Sequence, residues 1–181
     1  MEAIETALIV PIPEAETAVG PFRAGLDRAA RWGVPAHVTV LYPFLDPDAI
    51  TDTVLAAVQE TVAATPRFAV EFTHVGWFGD RVAWLAPRPD EPFRALTEAL
   101  WRRFPDRPPY GGAHAEVVPH LTLGHDAPQP ALRDAADAVA AHLPLRATPC
   151  EVWLMVGAPE PDSWHTAARF AFGDAERLLR D

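Results

Sequence analysis

Lysine and asparagine are missing from this 181-residue chain, and serine and cysteine occur once each. Each absence excludes chemistry. Without a lysine amine the chain cannot be a lysine-adenylate ligase, a P-loop NTPase or a Schiff-base enzyme, because each places that amine at its centre. The one serine stands in Asp162-Ser163-Trp164, outside any G-x-S-x-G elbow, which argues against a serine hydrolase. Cys150 has no partner for an internal disulfide and, between Pro149 and Glu151 beside an apolar run, reads as a small core residue. No stretch approaches the roughly 18 uninterrupted apolar residues of a membrane span. The opening Met1-Glu2-Ala3-Ile4-Glu5 is acidic where a secretory signal is basic. The expectation is a cytoplasmic protein with no membrane partner.

What is present is ordinary for a globular chain: 49% hydrophobic and 22% charged residues, in a length that suits one domain or two small lobes sharing a core. All fifteen basic residues are arginine, and Ala and Pro are abundant, a pattern that GC-rich coding explains without any role in phosphate binding. The net charge of −10 argues against a non-specific grip on long nucleic acid, whose affinity comes from cationic contacts to phosphates. A small nucleotide or an RNA 3′ end needs only a local positive pocket and stays open. A monomer is expected.

The most telling pattern is a repeated tetrapeptide. His37-Val38-Thr39-Val40 returns 83 positions later as His120-Leu121-Thr122-Leu123. Seven histidines and thirteen Ser/Thr residues predict about half an H-x-[ST] match by chance, before apolar second and fourth positions are required. The other five histidines lack the third-position hydroxyl. Read as a strand, each tetrapeptide points His and Thr to one face and the apolar pair to the other. Two such strands around one cleft would offer two imidazoles and two hydroxyls, a set suited to acid/base chemistry on a phosphate.

The pattern along the chain gives a strand over 7–12, a short helix with Phe22, Leu26 and Ala30 on one side, and the first His-Thr strand ending near Tyr42-Pro43. Asp46-Pro47 reads as the N-cap and first position of a helix with the stripe Ile50, Val54, Ala57, Val58 and Val62. Strands over 67–75 and 81–86 follow, then a helix starting at Asp90-Glu91-Pro92 with Phe93, Leu96, Leu100 and Phe104 inward. A Pro/Gly-rich connector over 105–112 leads to the second His-Thr strand. A helix over 128–142, with Leu132, Ala136 and Val139 inward, precedes strands over 149–156 and 164–172 and a polar tail. The order is β, then α-β-α-β-β twice. It predicts a single bilobal domain over 1–181, with a first repeat over about 1–86 and a second over about 87–175.

Two H-x-T-hydrophobic motifs about eighty residues apart, in a chain of this length, resemble the 2H phosphoesterase superfamily, which includes the 2′-5′ RNA ligase-like proteins and the cyclic phosphodiesterases. The resemblance covers essentially the whole chain. It implies an α+β fold of two pseudo-symmetric lobes, each an antiparallel sheet with flanking helices, and an active-site cleft between them. It carries over His37, Thr39, His120 and Thr122 as catalytic residues, with no metal and no cofactor. The implied activity is hydrolysis of a 2′,3′-cyclic phosphate or a 2′-5′ phosphodiester of a nucleotide or RNA end, leaving a 2′-phosphate, with His120 as the base. Some ligase-like members carry an arginine shortly after the second motif, where this chain has Gly124-His125.

Four further residues are candidates for substrate contact. Tyr42 and Phe44 follow the first motif and could stack on a base. His125 extends the second strand, although its odd offset from His120 turns it to the other face of a regular strand. Arg169, like Arg81, lies on an expected strand from which it could reach a phosphate. Two other functions compete. A metal-dependent hydrolase could use His114, His120 and His125 with Glu116 or Asp126, but their spacing matches no established ligand pattern and strand alternation scatters them. A non-catalytic module that binds nucleotide or RNA ends could use the same pocket, and turnover separates it from an enzyme.

Overall fold

The computed structural model describes residues 3–113 and 117–174. Its elements in chain order are β1 (Glu5–Pro11), α1 (Glu16–Leu26), α2 (Arg28–Arg31), β2 (His37–Leu41), α3 (Asp52–Ala63), β3 (Val70–Phe78), β4 (Val82–Arg88), α4 (Glu91–Arg103), β5 (Leu121–His125), α5 (Gln129–Ala140), β6 (Leu145–Ala147), β7 (Glu151–Gly157) and β8 (His165–Ala171). The strands form one sheet in the order β6-β3-β4-β5-β2-β1-β7-β8, antiparallel at every pairing between neighbours. This is an α+β fold built on antiparallel pairing.

The sheet consists of two four-stranded halves. They meet where β2 pairs with β5, with Val38 opposite Leu121. One half draws strands from both ends of the chain, β2 and β1 being extended by β7 and β8, and the other from its middle, β5 being extended by β4, β3 and β6. Both His-Thr strands therefore run side by side at the centre.

Strand alternation sorts the side chains. Leu8, Val10, Val38, Val40, Leu85, Leu121, Leu123 and Leu154 enter one large core together with Phe93, Leu96 and Leu100 of α4 and Leu132 and Val139 of α5. Removing this much apolar surface from water is the main term holding the fold. The opposite face carries a smaller cluster of Ala7, Ile9, Val34, Met155 and Trp164. The histidines and threonines of β2 and β5 lie on that second face, beside the small cluster and away from the main core.

Several sequence expectations are corrected. The helix expected from Asp46-Pro47 begins later: Pro47–Ala49 forms a separate 3-10 turn, and Thr51, whose hydroxyl accepts from the Val54 amide at 3.3 Å, caps α3. The buried positions of α1 are Val19 and Arg23, while Phe22 and Leu26 pack at the margin of the core. Cys150 is exposed just before β7. The edge strand β6 and the one-turn helix α2 have no counterpart in the sequence pattern, because three or four residues are too few to establish a period. The polar tail from residue 175 lies outside the described residues.

Two tryptophans are seated by glycines. Trp84 on β4 lies over Gly76 of β3, and Trp164 lies over Gly157 of β7; a Cβ at either glycine would run into the indole ring.

Candidate active site

Each motif histidine is fixed by its own strand. His37 Nδ1 lies 2.7 Å from the Pro35 carbonyl oxygen, and His120 Nδ1 lies 2.7 Å from the Val118 carbonyl oxygen, two residues back in both cases. A carbonyl only accepts, so Nδ1 carries the proton and donates in both rings. Nε2 is the ring nitrogen on the cavity side. His37 Nε2 is 3.2 Å from Thr39 Oγ1.

The four motif residues line one cavity of about 530 Å³, a size suited to a small organic ligand. Tyr42 and His125 line it too. The strand argument turns His125 away, and the reason it fails is a bulge. Opposite β4, the register passes from Thr122↔Trp84 to Gly124↔Ala83, so Leu123 is an extra residue and the alternation resets after it. In β2 the register passes from Thr39↔Ile9 to Leu41↔Leu8, and Val40 is the extra residue. Both strands are bulged three positions after their histidine. Both therefore return the residue five positions after it to the histidine's own face, Tyr42 in one strand and His125 in the other.

Tyr42 donates its hydroxyl to Glu5 Oε2 at 3.0 Å, and its ring lies 6.4 Å from that of Trp164. Burial, with Glu5 beside it, pushes the Tyr42 phenol up to about 12. His125 Nε2 sits 3.3 Å from Asp126 Oδ2. The other two candidates are elsewhere. Phe44 is buried in the main core, edge-on to Phe104 at 5.1 Å. Arg169 is exposed, its guanidinium 4.4 Å over the Trp153 ring and 3.8 Å from Glu151, and does not line the cavity. Arg81 is paired with Asp126 at 2.6 Å. Of the alternative metal set, His114 and Glu116 lie outside the described residues.

The surroundings of the two histidines differ. Behind His37 lies a buried ion pair: Arg23, 2% exposed, donates from Nη2 and Nε to Asp27 Oδ2 at 2.8 and 3.1 Å, and Asp27 Oδ1 accepts from the Ala29 amide at 3.0 Å. Burial, followed by the Arg23 charge, lowers the His37 pKa from 6.5 to about 4. Around His120 the neighbours are aromatic, with Phe78 edge-on at 5.0 Å and Trp84 at 5.9 Å; Phe78 and Trp84 stack on each other at 4.9 Å.

Sequence reasoning missed Arg23, Asp27, Arg28, Trp32, Phe78, Tyr110 and Trp164. Among the described lining residues Arg28 is the one arginine, its guanidinium 5.6 Å over the Trp32 ring. Nothing in the local sequence marks it. The equal offset of Tyr42 and His125 was legible, had the two motifs been aligned past their fourth residue.

Two imidazoles with Nε2 facing one cavity, each two residues from a hydroxyl at the seam of an antiparallel α+β sheet, define a protein with a paired-histidine site. A family model described as the 2′-5′ RNA ligase superfamily matches residues 11–159, and the chain belongs to that superfamily of phosphoesterases. Solved structures share the fold. Apo LigT of E. coli is 19% identical, with a TM-score of 0.60, covering 96% of this chain and 100% of its own. A protein of Thermus thermophilus is 18% identical, with a TM-score of 0.66, over 95% of this chain and 100% of its own. LigT complexed with 3′-AMP is 17% identical, with a TM-score of 0.59, over 94% and 99%. A search of curated proteins finds no match.

Proposed function

We propose that this protein is a metal-independent phosphoesterase that opens a 2′,3′-cyclic phosphate, or cleaves a 2′-5′ phosphodiester, of a small nucleotide or RNA end. The observation that carries the reading is the matched pair of imidazoles, each pinned through Nδ1 so that Nε2 faces the common cavity. Family membership supports phosphoester chemistry. The fold shared with LigT, whose structures include complexes with 3′-AMP, ATP and NADP+, supports a nucleotide ligand.

His37, held neutral by its surroundings, takes the proton of the attacking water. His120, entering the step as the imidazolium with Nδ1–H held by the Val118 carbonyl oxygen, gives its Nε2 proton to the departing ribose oxygen as the bond from that oxygen to phosphorus breaks. This assignment reverses the roles that the family resemblance implies, and the cause is the burial of His37 with Arg23 beside it. Thr39 and Thr122 hydrogen-bond the non-bridging oxygens, where charge grows in the transition state. Tyr42 offers a ring to the base, and His125 faces it across the pseudo-symmetric site.

The test is incubation with the nucleoside 2′,3′-cyclic monophosphates, with and without EDTA, resolving the 2′- and 3′-phosphate products. Turnover unaffected by EDTA and reduced about 10² to 10⁴-fold in both His37→Ala and His120→Ala is expected. Turnover lost with EDTA would restore a metal mechanism. Nucleotide binding without turnover of cyclic monophosphates or 2′-5′ dinucleotides would leave a binding module.

A further inference from the structure

Tyr110 sits in the Pro/Gly-rich connector that reads as a mere link in the sequence, yet its side chain lines the same cavity and reaches the hydroxyl of Thr39. The connector is built to place it. Pro109 is buried, the Tyr110 amide donates to the Tyr42 carbonyl oxygen at 2.7 Å, and Gly111 N donates to the Pro108 carbonyl oxygen at 3.0 Å. Tyr110 itself has φ 52°, a left-handed conformation that a non-glycine residue rarely adopts. Such strain at a cavity wall is a reason to ask what the side chain does.

Donor accounting gives an answer. His37 Nδ1–H is committed to the Pro35 carbonyl oxygen, so in the neutral ring Nε2 can only accept. Thr39 must then be the donor across the 3.2 Å contact to Nε2, which uses its one hydroxyl hydrogen. The Thr39 hydroxyl is thus turned to His37 Nε2, and Tyr110 stands beside it in the wall of the same cavity.

We propose that Tyr110 is a further substrate-contacting residue of this site, an O–H donor to a non-bridging oxygen of the bound phosphate. The inference rests on the phosphoesterase reading and adds a third hydroxyl to the two motif threonines. Burial pushes the phenol up to about 12, so it keeps its hydrogen throughout the neutral range and can serve as a donor there. It also breaks the pseudo-symmetry of the site, because the donor comes from a connector and not from either His-Thr strand.

The experiment compares wild type with Tyr110→Phe, which keeps the ring and removes the donor. Turnover of a 2′,3′-cyclic monophosphate and affinity for inorganic phosphate are measured on both, with melting temperature to check the fold. A loss of about 10- to 100-fold in kcat/KM, with weaker phosphate binding, is expected. Unchanged turnover and phosphate affinity would overturn the inference while leaving the proposed function intact. The chain has two tyrosines, so 3-fluorotyrosine labelling gives two 19F signals that Tyr42→Phe assigns, and this reads the contact even if Tyr110→Phe does not fold. Inorganic phosphate is expected to shift the Tyr110 signal, and no shift at saturating phosphate would count against it. A wild type that turns over no phosphodiester but shows the phosphate-induced shift would remove the proposed reaction and keep Tyr110 as a phosphate contact.

Discussion

An imidazole tied to its own strand through Nδ1 has one nitrogen left, and the surroundings decide which form that nitrogen takes. For His37, burial and Arg23 both disfavour the cation, whereas the Pro35 carbonyl oxygen and Asp27 favour it. The first pair wins, and the ring titrates at about 4. A general base must be neutral, so the acidic limb of kcat/KM against pH reports the base in the free enzyme. With His37 as base, kcat/KM holds as pH falls below 6.5 and declines only as pH passes down through about 4. An acidic limb well above pH 4 would count against His37 as the base. The H-x-T pairs announced the polar centre of the cavity, but the Arg23–Asp27 pair could not be foreseen: an arginine on an amphipathic helix is solvated far more often than it is 2% exposed.

At the scale of the element, the two bulges decide what the strands present. Alternation alone correctly placed His and Thr against Val and Leu, then failed one step further along at His125, because an inserted residue leaves no mark in a hydrophobic pattern. The cap of α3 shows a related limit. Asp46-Pro47 and Thr51 are both acceptable helix starts by composition, and the hydroxyl that reaches the Val54 amide settles the matter. Packing between strands is equally hidden from a sequence read one segment at a time. Gly157 and Trp164 belong to different segments, yet the indole occupies the space a Cβ would need. Gly157→Ala should therefore destabilise the fold by about 1–3 kcal/mol, and Gly76→Ala beneath Trp84 by a similar amount, read as lower midpoints in urea unfolding. Because Trp164 lines the cavity, Gly157→Ala should also weaken nucleotide binding.

For the molecule as a whole, charge and topology matter most. Many arginines are matched to carboxylates, among them Arg23 to Asp27, Arg81 to Asp126, Arg94 to Asp90, Arg102 to Glu98 and Arg146 to Glu71. With a net charge of −10 and Arg28 as the one arginine among the described lining residues, few counterions should be released on binding. Affinity for a mononucleotide should fall with salt at a log–log slope of about −1, and extending the ligand to an RNA strand should not steepen it; calorimetric titrations across a salt series measure this. The sequence made the element order legible, α2 and β6 excepted, and through it the α+β class. The order of strands in the sheet was not legible, since it depends on pairing between β1 and β7, which lie near opposite ends of the described chain.

That pairing has a consequence for synthesis. On the ribosome the chain is made from its N-terminus, so His37 emerges early on a β1–β2 pair whose outer neighbour, β7, does not yet exist. Met155 and Trp164, which wall the cavity, come later still than His120. The nascent protein therefore carries both histidines for some time without the chamber in which they meet, and that chamber is complete only once β7 and Trp164 have been made.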